Sequence, residues 1–142
     1  MSKRYLVTGG AGFIGSNYVA RLLGRGEQVA VFDNLSRPGA DKNLAWLRET
    51  YGKDSFQFIQ GDIRDEEAIR NAARQADAIV HLAAQVAVTT SVTEPRSDFE
   101  INALGTFNVL EAARASGRQP AVLYASTNKV YGGMEEVKVL EE

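Results

Sequence analysis

Four glycines fall within the eight residues Thr8-Gly9-Gly10-Ala11-Gly12-Phe13-Ile14-Gly15. The stretch satisfies both Gly10-x-Gly12-x-x-Gly15 and Gly9-x-x-Gly12-x-x-Gly15. It follows a short apolar run and opens a helix-like one. Glycine serves three separate needs in such a place. One allows a tight turn, one lets the backbone approach a pyrophosphate, and the last lets the helix pack closely on a sheet. The helix start then offers unpaired amides and a positive dipole end to phosphate oxygens. A glycine-rich turn with no ligand is the plain alternative. Against it, the acidic residue Asp33 closes the next apolar run, eighteen residues after Gly15. That is the context a dinucleotide fingerprint requires.

Asp33 can accept hydrogen bonds from both hydroxyls of an adenosine ribose. A 2′-phosphate there would meet its negative charge, which favours NAD over NADP. Arg37, four residues on, could instead host that phosphate. Asp33 could also simply form a turn before Asn34. Asp62 and Ile63 follow the third apolar run. They could meet an adenine amino group and ring nitrogen, or only cap a loop. The single histidine, His81, sits inside an apolar run and reads as a satisfied core residue rather than a ligand or base.

These residues need elements to hold them. Tyr5-Val7, Val29-Phe32, Phe56-Ile59, Ile79-Leu82 and Ala121-Tyr124 read as strands, brief and mostly apolar, as parallel strands buried on both faces are. Helices are predicted over Gly12–Leu23, Lys42–Thr50, Asp65–Arg74 and Pro95–Ser116. Asp65 is the expected N-cap of the third, ahead of two glutamates. The fourth carries Phe99, Ala103, Phe107 and Leu110 on one stripe, with Gly117 as its stop. Strand–helix alternation predicts an α/β fold, a doubly wound parallel sheet of the Rossmann type with strand order 3-2-1-4-5. The tail from Gly132 to Glu142 completes no further strand–helix unit, so the fold is expected to be incomplete at its C-terminus.

Composition excludes several chemistries. With 142 residues, 44% hydrophobic and 24% charged, the chain has the balance of one ordinary globular domain. A net charge of −2 provides no basic footprint for nucleic acid or an anionic membrane. The absence of cysteine removes disulfides, thiolate metal sites and a Cys nucleophile. A lone histidine removes His-cluster metal sites, and no metal is expected. Lacking a signal-like start or a spanning run, the chain is expected in the cytoplasm.

Taken together, the motifs resemble the extended short-chain dehydrogenase/reductases, the NAD-dependent nucleotide-sugar epimerases and dehydratases. The matching stretches begin with the glycine loop, Asp33-Asn34-Leu35 and Gly61-Asp62-Ile63-Arg64-Asp65. They continue with His81-Leu82-Ala83-Ala84, Asn102-Ala103-Leu104-Gly105-Thr106 and Ala125-Ser126-Thr127-Asn128-Lys129-Val130-Tyr131-Gly132. Within that family, Phe32–Arg37, Gln85–Ser91 and Ser126–Gly132 look most like the CDP-paratose 2-epimerases. The resemblance implies cofactor contacts from Gly9, Gly12, Phe13, Ile14, Gly15, Asp33, Asn34, Ser36, Arg37, Asp62, Ile63, Leu82, Ala83, Ala84, Gln85 and Asn102. Gln85 would reach the nicotinamide ribose, and Asn102 would support the active-site backbone. Thr127 falls where the family places the hydroxyl that bonds the sugar oxygen being oxidised. The plain alternative is that Thr127 merely caps the strand end. Tyr131 reads as packing, and Thr89, Thr90 and Ser91 either touch sugar or start a helix. Asn128 and Lys129 stand where the 4,6-dehydratases have Asp and Glu, which argues for epimerisation.

The resemblance also implies a Tyr-x-x-x-Lys pair, a CDP-sugar substrate and a homodimer. The residues four places after Tyr5, Tyr18, Tyr51, Tyr124 and Tyr131 are Gly9, Leu22, Ser55, Asn128 and Glu135. None forms the pair. The expectation is an N-terminal NAD-binding portion lacking that pair, the sixth strand and the substrate domain.

Overall fold

The computed structural model describes residues 2–127, together with 130 and 132. Five parallel strands form one sheet in the order β3-β2-β1-β4-β5, as expected. They are β1 (Arg4–Thr8), β2 (Gln28–Asp33), β3 (Gln57–Gln60), β4 (Ala78–His81) and β5 (Ala121–Tyr124). Phe56 and Leu82, expected inside strands, lie just outside β3 and β4. The register sets Thr8 beside both Phe32 and His81, so the carboxyl ends of the three central strands lie side by side.

Alternation along β1 sends neighbouring side chains into separate cores. Val7 joins Val19, Leu22, Val31, Leu44 and Leu47 on one face. That face is covered by α1 (Phe13–Leu23) and α2 (Ala40–Tyr51). Leu6 joins Phe32, Ile69, Ile79 and Val109 on the other. There the cover is α3 (Glu66–Ala73) and α6 (Gly105–Ala115). Asp65 caps α3 as expected, its side chain accepting the amide of Ala68 at 3.0 Å. Truncating a fully buried member such as Phe32 would cost about 3–5 kcal/mol.

The long helix departs from expectation in being broken. It is divided into α5 (Pro95–Phe99), a π-helical turn (Glu100–Leu104) and α6, and is preceded by the short α4 (Val88–Thr93). Phe99, Phe107 and Leu110 of the expected stripe face solvent, at 65%, 58% and 47% exposure. The buried side of α6 is instead Gly105, Asn108, Val109, Ala112 and Ala113. The approach is close at one point, where a Cβ on Gly105 would come within 2.6 Å of the Ile63 side chain.

Candidate functional site

The first apolar run passes straight into the glycine loop at the carboxyl edge of the sheet. Gly9 adopts φ +68°, and a Cβ there would lie 2.7 Å from the Ala83 amide nitrogen. The loop therefore sits directly against the chain leaving β4. Gly15 is the tightest position of the loop. Its Cβ would meet the Gly9 carbonyl oxygen at 2.1 Å, so α1 packs against its own loop there. Gly12 is more open, with one contact at 3.1 Å to the same oxygen. No side chain caps the start of α1, and Phe13 and Ile14 are strongly exposed there. The first amides of the helix are thus left for an anionic ligand.

Asp33 lies beneath this loop, almost buried. Its carboxylate accepts the Ala11 amide at 3.0 Å and the Leu35 amide at 2.9 Å. The turn-forming role and the loop-facing position are both realised. Asn43 of α2 donates to the Ala11 carbonyl at 2.9 Å, so Ala11 is held from both sides. Asn34 donates to Asp62 at 3.0 Å, joining the ends of β2 and β3. Asp62 also accepts from the Arg64 side chain at 3.0 and 2.8 Å and from its amide at 2.9 Å. The Arg64 guanidinium holds the Asp62 carboxyl well below the ordinary carboxylate range. Asp62 therefore does cap its loop. Ile63 is buried, and Ser36 and Arg37 are exposed beyond Asp33.

At the far side of the loop, Leu82 donates to the Thr8 carbonyl at 3.1 Å. Leu82, Ala83 and Ala84 line a hollow of about 140 Å³, with His81, Asn102, Thr106, Tyr124, Ala125 and Ser126. Asn102, within the π-helical turn, clasps Gln85 twice. It accepts the Gln85 amide at 2.9 Å and donates to the Gln85 carbonyl at 3.1 Å. The Gln85 side chain bonds the Ala87 carbonyl at 2.8 Å and Asp98 at 3.3 Å, so it folds back on its own segment. Thr127 lies exposed just after β5. Asn128, Lys129 and Tyr131 lie outside the described residues. A larger hollow, about 340 Å³, opens at the opposite sheet edge around Arg4, Glu27 and Gln75, away from the glycine loop.

The structure thus gathers Gly9, Gly12, Gly15 and Asp33 into one cradle. Asn34 and Asp62 stand at one end, and Leu82–Gln85 with Asn102 at the other. Sequence reasoning missed Asn108, which is buried in α6 and donates to the Ile63 and Arg64 carbonyls at 3.0 and 3.2 Å. An Asn among Val109, Ala112 and Ala113 was the available signal, since a buried amide needs partners.

The family model described as GDP-mannose 4,6 dehydratase matches residues 6–142. This chain belongs to that family. A CDP-paratose 2-epimerase from Salmonella typhi is 46% identical over 140 residues, covering 97% of this chain and 40% of the relative. Among solved structures, the dTDP-glucose 4,6-dehydratase of Streptomyces venezuelae with NAD bound is 38% identical. It superimposes with a TM-score of 0.80, over 91% of this chain and 41% of that one. A UDP-glucose 4-epimerase from Stenotrophomonas maltophila, also with NAD, reaches TM-score 0.84 at 29% identity, over 96% and 40%. The family member described here therefore spans about two fifths of the length of these relatives. Among its described residues, no helix is long and apolar enough to cross a membrane.

Proposed function

We propose that this chain is the NAD-binding part of a nucleotide-sugar epimerase, acting on a CDP-sugar as the 2-epimerase relative is named to do. The observation that carries the reading is the cradle made by the uncapped start of α1 and the buried carboxylate of Asp33. It suits a diphosphate followed by a ribose. The loop amides and the α1 dipole hold the diphosphate. Asp33 orients the adenosine ribose and, by its charge, disfavours a 2′-phosphate. Asn34, Ser36 and Arg37 border that ribose, and Asp62 and Ile63 border the adenine. Leu82, Ala83, Ala84 and Gln85 line the nicotinamide end, with Asn102 fixing their backbone. Bound NAD would supply the acceptor for a hydride taken transiently from the sugar and returned to its other face. Thr127 would offer its hydroxyl to the sugar oxygen being oxidised.

General-base catalysis typically supplies about 10²–10⁴-fold. With no Tyr-x-x-x-Lys among its five tyrosines, this chain by itself is expected to bind cofactor without turning sugar over. The cradle without any sugar chemistry would also serve a second reading, a non-catalytic NAD-binding module. The exposed stripe of Phe99, Phe107 and Leu110 supports a homodimer, and the cytoplasm remains the expected location.

Calorimetric titration of NAD into the wild type, Asp33→Ala and Gly12→Val tests the assignment. Binding by the wild type and loss in both variants is expected. Equal binding in all three removes the cofactor reading. A tighter response to NADP than to NAD would reverse the role given to Asp33. Turnover of a CDP-sugar by a chain carrying the Tyr-x-x-x-Lys pair separates the epimerase from the module.

A further inference from the structure

His81 is buried where β4 meets the cradle, at 2% exposure. Its Nδ1 lies 2.7 Å from the Thr8 hydroxyl, and its Nε2 lies 3.0 Å from the Thr106 hydroxyl. Counting protons decides which nitrogen carries one. The Thr106 hydroxyl donates its single hydrogen to the Asn102 carbonyl at 2.7 Å. It can therefore only accept from the ring, so Nε2 bears the hydrogen. Burial lowers the imidazole pKa to about 4, which leaves Nδ1 bare at neutral pH. Thr8 must then donate to Nδ1, and its oxygen accepts the Ala83 amide at 3.4 Å. The bonds run in one direction: Ala83 amide, Thr8 hydroxyl, His81 ring, Thr106 hydroxyl, Asn102 carbonyl.

We infer that His81 is a positioning residue, held as its Nε2–H tautomer, which ties the end of β1 at the glycine loop to the Asn102–Gln85 clasp. The inference deepens the NAD-binding reading and rests on it for its consequence: the phosphate end and the nicotinamide end of the cradle are set by one polar chain. Thr8 from β1, Thr106 from α6 and Tyr124 from β5 face the ring. The Tyr124 ring is 5.7 Å away, centroid to centroid. A protonated ring would carry hydrogens on both nitrogens, and the Thr8 hydroxyl could no longer donate to it.

The single histidine makes the test direct. Nitrogen-15 spectra of the imidazole in the 142-residue chain should show one protonated nitrogen, Nε2, unchanged from pH 8 to about pH 5. A ring protonated at Nδ1 overturns the chain. Thr106→Val keeps the shape but removes the acceptor for Nε2–H. The Gln85 amide resonance should then shift and NAD affinity fall about tenfold, as for a buried group left unpaired. Thr106→Ser, which restores a hydroxyl, should recover both. A Thr106→Val protein with the wild-type Gln85 resonance would sink the coupling. If the wild type binds no NAD, the cofactor reading fails, while the imidazole and Gln85 spectra still decide the polar chain.

Discussion

The Asp33 carboxylate accepts the amide of Ala11 at 3.0 Å, across twenty-two residues of chain. This bond joins the residue that would read a ribose to the loop that would hold a diphosphate. Their relative position therefore does not depend on a ligand.

Replacing Asp33 should damage binding and stability together. Asp33→Ala leaves the Ala11 amide without its acceptor, at a cost of about 1–3 kcal/mol. Thermal denaturation should show this loss without NAD, and calorimetry should show binding fall well beyond tenfold. Asp33→Asn keeps one acceptor and should retain more stability than affinity. Wild-type NAD affinity in either variant would contradict the site.

Two glycines of the loop should behave differently. A Cβ at Gly15 collides with backbone at 2.1 Å, so Gly15→Ala must shift the loop against α1 and should lower the melting temperature. Gly12 has one contact at 3.1 Å and φ −68°, which any residue adopts. Gly12→Ala should therefore fold nearly as well as wild type but bind NAD more weakly. Comparable melting temperatures for the two variants would argue against this division.

Acid should destabilise the fold in two windows. The folded His81 pKa is about 4 against an ordinary 6.5. Between these values the unfolded chain binds a proton that the folded chain does not. Stability is thus full above pH 6.5 and falls as pH drops toward 4, by about 3 kcal/mol if the whole shift is expressed. The Asp62 pKa is depressed, so its contribution is present above the unfolded carboxylate range and is lost below it. Urea melts of wild type and His81→Asn from pH 7 to 4 should show the steeper slope in the wild type. Parallel curves would remove the assignment to His81.

Phe99, Phe107 and Leu110 leave an apolar stripe in water, and β5, with Leu123 and Tyr124 exposed, is a sheet edge among the described residues. Both features favour association. Sedimentation should find dimers or larger species at micromolar concentration. Phe107→Glu should weaken association by tenfold or more. A wild type that stays monomeric at high concentration would count against a role for this face.

The sequence by itself determined the strands and the glycine loop, because these depend on local patterns, and the alternation of strands with helices indicated their order through the doubly wound rule. Short apolar runs suit a sheet covered on both faces, and the residues from Gly9 to Asp33 hold both parts of the fingerprint. It could not determine which side of the last helix is buried. Phe99, Ala103, Phe107 and Leu110 form an apolar stripe, yet Gly105, Asn108, Val109, Ala112 and Ala113 face inward, and at Gly105 the helix passes so close to Ile63 that a Cβ would come within 2.6 Å. Tertiary structure alone decided the π-helical turn and the role of His81. Asn102 pairs with Gln85 across seventeen residues, and His81 with Thr8 across seventy-three. Nothing in the local pattern encodes those distances. They arise when burial removes water and each polar group must find its partner on another element.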